Sequence, residues 1–308
     1  MKDLLILTLH SGENEFPLCK ASLASQTFRG FDHIVFENLG NNEGHETLYR
    51  TIMEQAGNYA RFLKLDADMV LRGGDSLASM LTEFDAERDA DCVAWHVFDY
   101  YSNRNILGVH MFSNRVTWRT DLPELYVDPD PSFPGRRVIL RKEWKQHVLH
   151  SPSPSPRQAF EFGIHRAQKC FNQLSGPDYA RRREAQFETL HGVWRAFLQS
   201  GDRMRGLAMA GAEHCRRGSL RAGEYKNLRD CDAAFARTQA MSTDDMKSFC
   251  RPYWSFAGRL KHVLISASLK MQALAKARSG TAPALSPQPV PPPGNASPFA
   301  VAPTQLHR

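Results

Sequence analysis

The chain has 308 residues, of which 42% are hydrophobic and 23% charged, the balance of a water-soluble protein with one large domain or two smaller ones. It contains no apolar run of the roughly 18 residues that a membrane span requires, and the apolar run at residues 4–9 is too short for the core of a signal peptide. The six cysteines form no Cys-x-x-Cys pair, which argues against a zinc knuckle or a disulfide framework, so we expect reduced thiols and a cytoplasmic protein.

Charge divides the chain into two unlike parts. Residues 1–130 contain 11 lysines and arginines against 21 aspartates and glutamates, whereas residues 131–308 contain 28 against 12. A basic half favours anionic partners, such as a phosphorylated substrate or an anionic membrane surface. Nucleic acid is not expected as a partner, because no recognition motif accompanies the charge.

Strands and helices alternate in the first 100 residues. Apolar runs predict strands at residues 4–9, 33–36, 62–65 and 91–98, and apolar residues at helical spacing predict helices that include Phe16, Leu48 and Leu77. This alternation predicts an α/β fold with a mostly parallel mixed sheet and helices on both faces. We assign residues 1–150 to this domain.

The pattern changes after residue 105. Residues 106–118 have the pattern of an antiparallel strand or hairpin, and residues 136–144 are expected to supply one last strand. Between them, residues 121–134 form a Pro- and Asp-rich loop that is long enough to be a substrate-facing flap. The Ser-Pro repeat at residues 151–156 excludes helix and marks a break in the chain.

The remainder of the chain is predicted to be helical and then disordered. Three or four helices with basic outer surfaces are expected over residues 178–277, and we assign residues 151–278 to a helical extension. Residues 279–308 contain eight of the eighteen prolines and no acidic residue. This composition predicts a disordered tail.

Two carboxylates, Asp66 and Asp68, end the predicted strand at residues 62–65. Ligands of open α/β sheets gather at the carboxyl ends of strands, so these side chains are expected to face a crevice. Carboxylate oxygens at this spacing suit Mg²⁺ or Mn²⁺, which bind one or two carboxylates together with substrate phosphates. The alternative is that the pair only caps the turn after the strand.

Several short motifs occur together in a defined order. The first helix opens with Asn14-Glu15 and ends with a Ser-x-x-x-Gln-Thr phrase at Ser22 to Thr27. The second strand is followed by an acidic residue, Glu37, and the third by Leu65-Asp-Ala-Asp-Met69. Over residues 3–120 this sequence resembles the GT-A glycosyltransferases, particularly those of family two. The resemblance implies a GT-A (Rossmann-like) fold, a nucleoside diphosphate sugar donor and a Mn²⁺ or Mg²⁺ cofactor.

The resemblance also implies roles for residues at the strand ends. The side chains expected around the base and ribose of the donor are His10, Ser11, Glu13, Glu37 and Asn38. Asp66 would lie near the ribose and the metal, while Asp68 would bind the metal directly and serve catalysis. In this way the metal would stabilise the diphosphate as it leaves the sugar.

Histidines supply further candidates. Many GT-A enzymes use a late histidine as a metal ligand, and His150, placed in a loop before the Ser-Pro repeat, is our prediction; His147 and His165 are the other candidates. His45, near the start of the second helix, would contact the pyrophosphate, because helix N-termini favour anions. Its alternative is an exposed first-turn residue.

Two features differ from the family pattern. Glu37-Asn38 replaces an acidic doublet, which leaves the base of the nucleotide open, and the Gln-x-x-Arg-Trp signature of processive synthases is absent, which favours an enzyme that adds a single sugar. An inverting enzyme would need a carboxylate base. The candidates for this base are Asp128 and Asp130 in the predicted flap, with Asp121 and Glu161 as alternatives.

The acceptor is expected from family habit alone. It would be a glycan or a lipid-linked molecule in surface polysaccharide synthesis, reached from the cytoplasm, with peripheral contact at the inner face of the membrane as a further expectation. Residues 254–274 form an amphipathic basic stretch that suits such peripheral membrane contact, although a core helix has the same pattern.

Two other functions compete with this prediction. In a phosphotransferase of the haloacid-dehalogenase kind, Asp66 would be the nucleophile and Asp68 the general acid/base. That motif normally follows the first strand of its domain, and the only later acidic pair, Asp244-Asp245, has no strand before it. In a non-enzymatic module, the basic helices would dock on an anionic membrane or a partner.

Overall fold

The computed structural model of the chain describes residues 2–117, 138–141, 146–171, 177–218 and 229–255, together with Leu260 and Met271. In chain order the strands and helices are β1 (Lys2–His10), α1 (Phe16–Ala24), β2 (Phe31–Glu37), α2 (Asn41–Glu54), β3 (Tyr59–Lys64), β4 (Met69–Leu71), α3 (Ser76–Ala86), β5 (Cys92–Asp99), β6 (Arg104–Ser113), β7 (Val138–Arg141), β8 (Val148–His150), α4 (Pro156–Phe171), α5 (Pro177–Ser200), α6 (Arg203–Arg216), α7 (Arg229–Gln239) and α8 (Thr243–Trp254).

One mixed sheet contains all eight described strands, in the order β2-β1-β3-β6-β5-β8-β4, with β7 pairing β5 off this path. β1 is parallel to β2 and β3, and β5 is parallel to β7 and β8. β6 is antiparallel to β3 and β5, and β4 is antiparallel to β8. The α/β prediction is confirmed, but the sheet is only partly parallel. The physical reason is the short turn after Asp99, which sends β6 back along β5.

Helices cover both faces of the sheet, because both faces of β1 are apolar. Leu4 and Ile6 pack in the cluster that contains the buried residues of α1 and α3. Leu5 and Leu7 pack against Leu48 and its neighbours on α2. Successive residues of a strand point to opposite faces, so a continuous apolar run is the pattern of a strand buried on two sides.

The two strands nearest the Asp pair are short. β3 ends at Lys64 and β4 begins at Met69, so Asp66 and Asp68 lie in a loop between two strands rather than after a single one. β4 pairs with β8, and Met69 lies opposite His150. The sequence analysis placed His150 in a loop, which is wrong: it ends β8, a strand of three residues that is too short to show periodicity.

Four helices, α5 to α8, lie within the range where three or four were predicted. α4 and α6 cross closely, since a Cβ built on Gly163 would lie 1.7 Å from the carbonyl oxygen of Ala208, and one on Gly211 would lie 2.1 Å from that of Phe160. Only glycine permits backbones to approach this far. The division into domains at residue 150 stays a prediction.

The prediction that residues 254–274 contact a membrane is corrected in part. α8 ends at Trp254, which is buried and belongs to the helical core, stacked on Phe187 with ring centroids 5.6 Å apart. Trp254 therefore does not face a membrane. The rest of this stretch, apart from residues 255, 260 and 271, lies outside the described residues, as do the predicted flap at residues 121–134 and the tail at residues 279–308.

All six cysteines are free thiols, as the sequence predicted. None of the described helices combines the length and the apolar character that crossing a membrane requires.

Candidate active site

Asp68, His150 and Asp99 form a buried chain of polar contacts at the carboxyl ends of β5 and β8. Nε2 of His150 lies 3.2 Å from Oδ2 of Asp68, and Nδ1 of His150 lies 2.7 Å from Oδ1 of Asp99. The Asp99 side chain is fully buried, and those of Asp68 and His150 are 19% and 9% exposed. One imidazole thus lies between two carboxylates, each of which faces a different ring nitrogen.

Strand pairing produces this arrangement. Asp99 lies opposite His150 in the parallel pairing of β5 with β8, and the Tyr100 amide donates to the His150 carbonyl oxygen at 3.1 Å. Ser151, which has a left-handed φ of 48°, donates its amide to the Asp68 carbonyl oxygen at 2.8 Å and its hydroxyl to Oδ2 of Asp68 at 2.9 Å. The loop after β3 and the end of β8 therefore hold each other in place.

The charges of this cluster depend on one another. Burial by itself would lower the pKa of His150, but the Asp68 and Asp99 carboxylates outweigh burial and raise this pKa to about 10. Burial would raise the pKa of Asp68, but His150 and the Ser151 hydroxyl lower it to about 2. His150 is therefore a cation between two anions, and a metal ion that binds Nε2 has to replace its proton.

Asp66 has a different environment. Its carboxylate pairs with Nζ of the buried Lys64 at 3.0 Å, and its side chain is 34% exposed. Within the described ranges, no three or more histidine, cysteine, aspartate or glutamate residues are grouped in a way that could hold a metal ion. Asp68 and His150 together supply one carboxylate oxygen and one imidazole nitrogen. Two protein ligands suit a divalent ion that completes its coordination with substrate phosphates.

The predicted donor-binding residues of the first two strands lie together. His10 and Glu37 are paired in the β1–β2 register, with Nδ1 and Oε1 3.3 Å apart, and the Asn38 amide donates to the His10 carbonyl oxygen at 2.9 Å. Ser11 donates its amide to Oε2 of Glu13 at 2.5 Å. These contacts form a polar edge at the carboxyl ends of β1 and β2, and the binding roles of its residues stay predictions.

The Asn14-Glu15 motif and the Ser22-to-Thr27 phrase at the two ends of α1 support the backbone on either side of Asp68. Glu15 is buried and accepts from the Ser153 amide at 3.1 Å and from Nε2 of Gln158 at 2.8 Å, which connects the loop after β1 to the start of α4. Burial raises the pKa of Glu15, and the Asp68 charge adds to the effect. The motif thus joins the sheet to the helical extension beside Asp68.

Ser22 and Gln26 act on the other side of Asp68. The Ser22 hydroxyl accepts from the Leu71 amide at 3.1 Å, while Gln26 donates to the Gly73 carbonyl oxygen at 2.8 Å and accepts from the Leu77 amide at 3.0 Å. The Ser-x-x-x-Gln phrase therefore fixes the backbone that follows the Asp pair, and its role in the structure is architectural.

Sequence analysis missed several residues of the site. Tyr101 is fully buried, its ring stacks on Phe162 with centroids 4.0 Å apart, and its hydroxyl has no hydrogen-bond partner in the described part of the chain. Burial raises its pKa well above the ordinary value, and the charges of Asp68, Glu15 and Asp99 add to the rise. A strand that ends in a carboxylate, as β5 does at Asp99, was the signal that could have found this region.

Arg166 on α4 adds positive charge to the cluster. Its guanidinium carbon lies 5.0 Å from the centre of the Phe162 ring, its Nη1 donates to Gln186 at 2.8 Å, and its charge helps to lower the pKa of Asp68. Phe162 and Arg166 are four residues apart and so lie on one face of the helix. This spacing was visible in the sequence, but nothing there connected it to Asp68.

The other predicted residues lie elsewhere or outside the described ranges. His147 pairs with Glu83 of α3 at 3.0 Å, and Glu161 accepts from Nε of Arg157 on its own helix at 2.5 Å. His45 lies in the first turns of α2, with its ring 6.2 Å from that of Tyr49, and His165 is half-buried on α4. The predicted base candidates Asp121, Asp128 and Asp130 lie outside the described residues.

The acidic pair that a phosphotransferase would need has a structural role. Ser242 caps α8 and exchanges hydrogen bonds with Asp245 in a capping box, and Asp244 pairs with Lys247 at 3.0 Å. No contact connects this pair to Asp66 within the described residues. These contacts favour Asp68 and His150 as the candidate catalytic residues over Asp66 acting with Asp244 and Asp245.

No protein-family model and no curated protein matches the chain. Among solved structures, it is similar to residues 1–349 of S. aureus TarS, with a TM-score of 0.33 and 11% identity over 82% of this chain and 91% of that one. For a longer TarS structure the TM-score is 0.32, the identity 12% and the coverage 82% of this chain and 55% of that one.

A third similar structure is a glycosyltransferase involved in the glycosylation of the major capsid of PBCV-1. Its TM-score is 0.31 at 15% identity, over 59% of this chain and 98% of that one. All three TM-scores lie below 0.5, so the function of this chain is inferred from its own site.

Proposed function

We propose that this chain is a metal-dependent glycosyltransferase that moves a sugar from a nucleoside diphosphate sugar to a glycan or lipid-linked acceptor. The observation that carries the proposal is the 3.2 Å approach of His150 Nε2 to Asp68 Oδ2 at the carboxyl edge of the sheet. A carboxylate and an imidazole on rigid strand ends supply two of the six ligands of an octahedral shell, which leaves room for the phosphates of a donor.

Asp68 and His150 would hold Mn²⁺ or Mg²⁺, and one nitrogen ligand favours Mn²⁺, since Mg²⁺ prefers an all-oxygen shell. When bound, the metal supplies charge that stabilises the diphosphate leaving group. Arg166 contributes a second positive charge on the α4 side of Asp68. The metal and Arg166 would thus stabilise the negative charge that develops on the diphosphate, without having to reorient during the reaction.

The remaining residues of the edge would bind the donor. His10, Ser11, Glu13, Glu37 and Asn38 would surround the base and the ribose, because they lie at the carboxyl ends of β1 and β2, and β1 pairs with β3. Asp66, held by Lys64, would accept from the ribose or assist at the metal. His45 at the start of α2 would contact the pyrophosphate.

The acceptor side of the proposal concerns the catalytic base and the acceptor molecule. Asp128 and Asp130 are proposed as candidates for the base that takes the proton from an acceptor hydroxyl in an inverting reaction. We further propose that the acceptor belongs to surface polysaccharide synthesis and is reached on the cytoplasmic side, with peripheral contact to the membrane.

Calorimetric titration tests the proposal directly. UDP, GDP, CDP and TDP are titrated with and without Mn²⁺ into the wild type, into Asp68→Asn and into Asp244→Asn, a matched control on the exposed start of α8. We expect one diphosphate to bind in a manganese-dependent manner to the wild type and the control, and to lose at least tenfold in affinity in Asp68→Asn. If no nucleotide binds the wild type under any condition, the proposal is wrong.

A further inference from the structure

Asp99 is the most constrained carboxylate next to the proposed metal ligands. Its side chain is fully buried, and both of its oxygens are engaged. Oδ1 lies 2.7 Å from Nδ1 of His150, while Oδ2 accepts from the Ser102 amide at 2.7 Å and from the Ser102 hydroxyl at 2.5 Å. With three hydrogen bonds on two oxygens, this carboxylate has one orientation.

That orientation determines which ring nitrogen of His150 faces Asp68. A carboxylate beside Nδ1 keeps the proton on Nδ1, so Nε2 is the nitrogen that gives up its proton when a metal ion binds. Nε2 is the nitrogen that lies 3.2 Å from Asp68. The Asp99 contact also fixes the plane of the ring, since a rotation about the Cβ–Cγ bond would break it.

The turn that carries Ser102 is held by the helical extension. Arg205, in the first turn of α6, donates from Nη2 to the Tyr100 carbonyl oxygen at 2.8 Å and from Nε to that of Tyr101 at 3.1 Å. The Tyr100 hydroxyl donates to Oδ2 of Asp202, the N-cap residue of α6, at 2.6 Å. The helix therefore supports the turn from outside the sheet.

We propose that Asp99 is a positioning residue, which holds His150 with Nε2 directed at Asp68 and so makes it competent to bind a divalent metal ion. The role of His150 as a ligand rests on the function proposed above. Asp99 itself touches neither the metal nor the donor. Its effect reaches the reaction only through the imidazole, and outer partners of this kind typically contribute ten- to a hundredfold to metal affinity.

The first test measures binding of Mn²⁺ alone, followed by the electron paramagnetic resonance signal of the free ion. The proteins are the wild type, Asp99→Asn, His150→Gln and Tyr100→Phe. Asn keeps an acceptor for Nδ1 but removes the charge, and Tyr100→Phe loosens the same turn by removing the bond to Asp202 while it leaves the hydrogen bonds of Asp99 in place. We expect Asp99→Asn to bind at least tenfold more weakly than the wild type, and Tyr100→Phe to stay within about threefold of it.

Each result decides a different point. If Asp99→Asn binds like the wild type, Asp99 has no positioning role and the proposed function stands. An equal loss in Tyr100→Phe and Asp99→Asn also overturns the inference, because the rigidity of the turn would then be the cause. If the wild type binds no Mn²⁺, the proposed metal-dependent function fails first.

A second measurement locates the protons of His150 in the wild type itself. Nitrogen-15 spectra of the histidine rings, recorded on the wild type with saturating Zn²⁺, a diamagnetic ion that accepts nitrogen ligands, and assigned by comparison with His150→Gln, report where the protons of His150 lie. We expect a proton on Nδ1 and none on Nε2. A ring that stays protonated on Nε2 contradicts the inference.

Discussion

Oδ2 of Asp68 lies 3.2 Å from Nε2 of His150, although the two residues belong to segments that are far apart in the chain. They meet because β8 pairs with β4, the strand that follows Asp68 directly. The contact is specific to His150, since the nearby His147 pairs with Glu83 of α3.

Substitution of these two histidines should separate their roles. If His150 is a metal ligand as proposed, we expect His150→Gln to lower kcat/KM for sugar transfer by about 100-fold or more, because the metal stabilises charge that develops in the reaction. His147→Gln, made in the same short segment, should change kcat/KM less than threefold while lowering the melting temperature, since it breaks a partly buried pair. Steady-state kinetics with the donor found by calorimetry checks both. Equal effects on kcat/KM would contradict the assignment of His150.

The charge of Arg166 should act on the phosphates of the donor rather than on its base. We expect Arg166→Gln to weaken binding of the nucleoside diphosphate about tenfold in the presence of Mn²⁺, whereas binding of the corresponding nucleoside should stay unchanged. Arg50→Gln, at an exposed ion pair on α2, serves as the control. Calorimetry of both ligands measures the difference. A loss that is equal for nucleoside and diphosphate would show that Arg166 shapes the site without contacting phosphate.

The crossing of α4 and α6 should be intolerant of a side chain at Gly163. A Cβ there would lie 1.7 Å from the carbonyl oxygen of Ala208, so one backbone would have to move. We expect Gly163→Ala to lower the free energy of unfolding by about 3 kcal/mol or to prevent folding. Gly57→Ala, where a Cβ meets nothing within 4 Å, should be neutral within about 0.5 kcal/mol. Urea denaturation compares the two, and similar values would show that the helices are not in contact at Gly163.

Stability should fall on mild acidification because of His33. Burial, with a smaller effect of Lys20, lowers the pKa of His33 to about 4, and its Nε2 lies 2.9 Å from the Thr8 hydroxyl. The unfolded chain, with an ordinary histidine pKa, binds a proton between about pH 6.5 and 4 where the folded protein does not, so stability decreases as the pH falls through this window.

The effect reaches at most about 1.4 kcal/mol per pH unit and sums to about 2 kcal/mol between pH 7.5 and 5. We expect His33→Gln, which cannot titrate, to lack this part of the dependence while other groups contribute equally in both proteins. Urea denaturation at pH 7.5 and pH 5 measures the difference. Parallel pH profiles of the two proteins would mean that His33 is protonated as easily in the folded state as in the unfolded one.

The sequence predicted the elements whose signal is local. The continuous apolar run of β1 identified a strand buried on both faces, and the spacing of Leu77, Met80, Leu81 and Phe84 identified α3. The position of Asp66 and Asp68 after a strand marked the edge of the sheet where polar groups gather. These patterns can be recognised in the sequence because each depends only on how one strand or helix packs against the hydrophobic core.

Other parts of the fold depend on pairing between distant segments. The antiparallel direction of β6 was predicted correctly. Its position between β3 and β5 was not, because the spacing of apolar residues does not show which strands are neighbours. β8 has only three residues, so neither its existence nor its pairing with β4 and β5 could be predicted. Non-local pairing is decided by the whole sheet and not by a local propensity.

By itself, the sequence determined the alternation of strands and helices and the position of the Asp pair, and it left His150, His147 and His165 as candidate partners for that pair. Only the tertiary structure decided that Asp99 holds the other side of that imidazole, that Lys64 pairs with Asp66, and that Arg166 brings its charge to Asp68. The physical reason is that residue types and their spacing are local properties of the sequence. The direction of a buried polar side chain instead depends on its hydrogen-bond partners, because burying a polar group without a partner costs free energy and the partners come from distant parts of the chain.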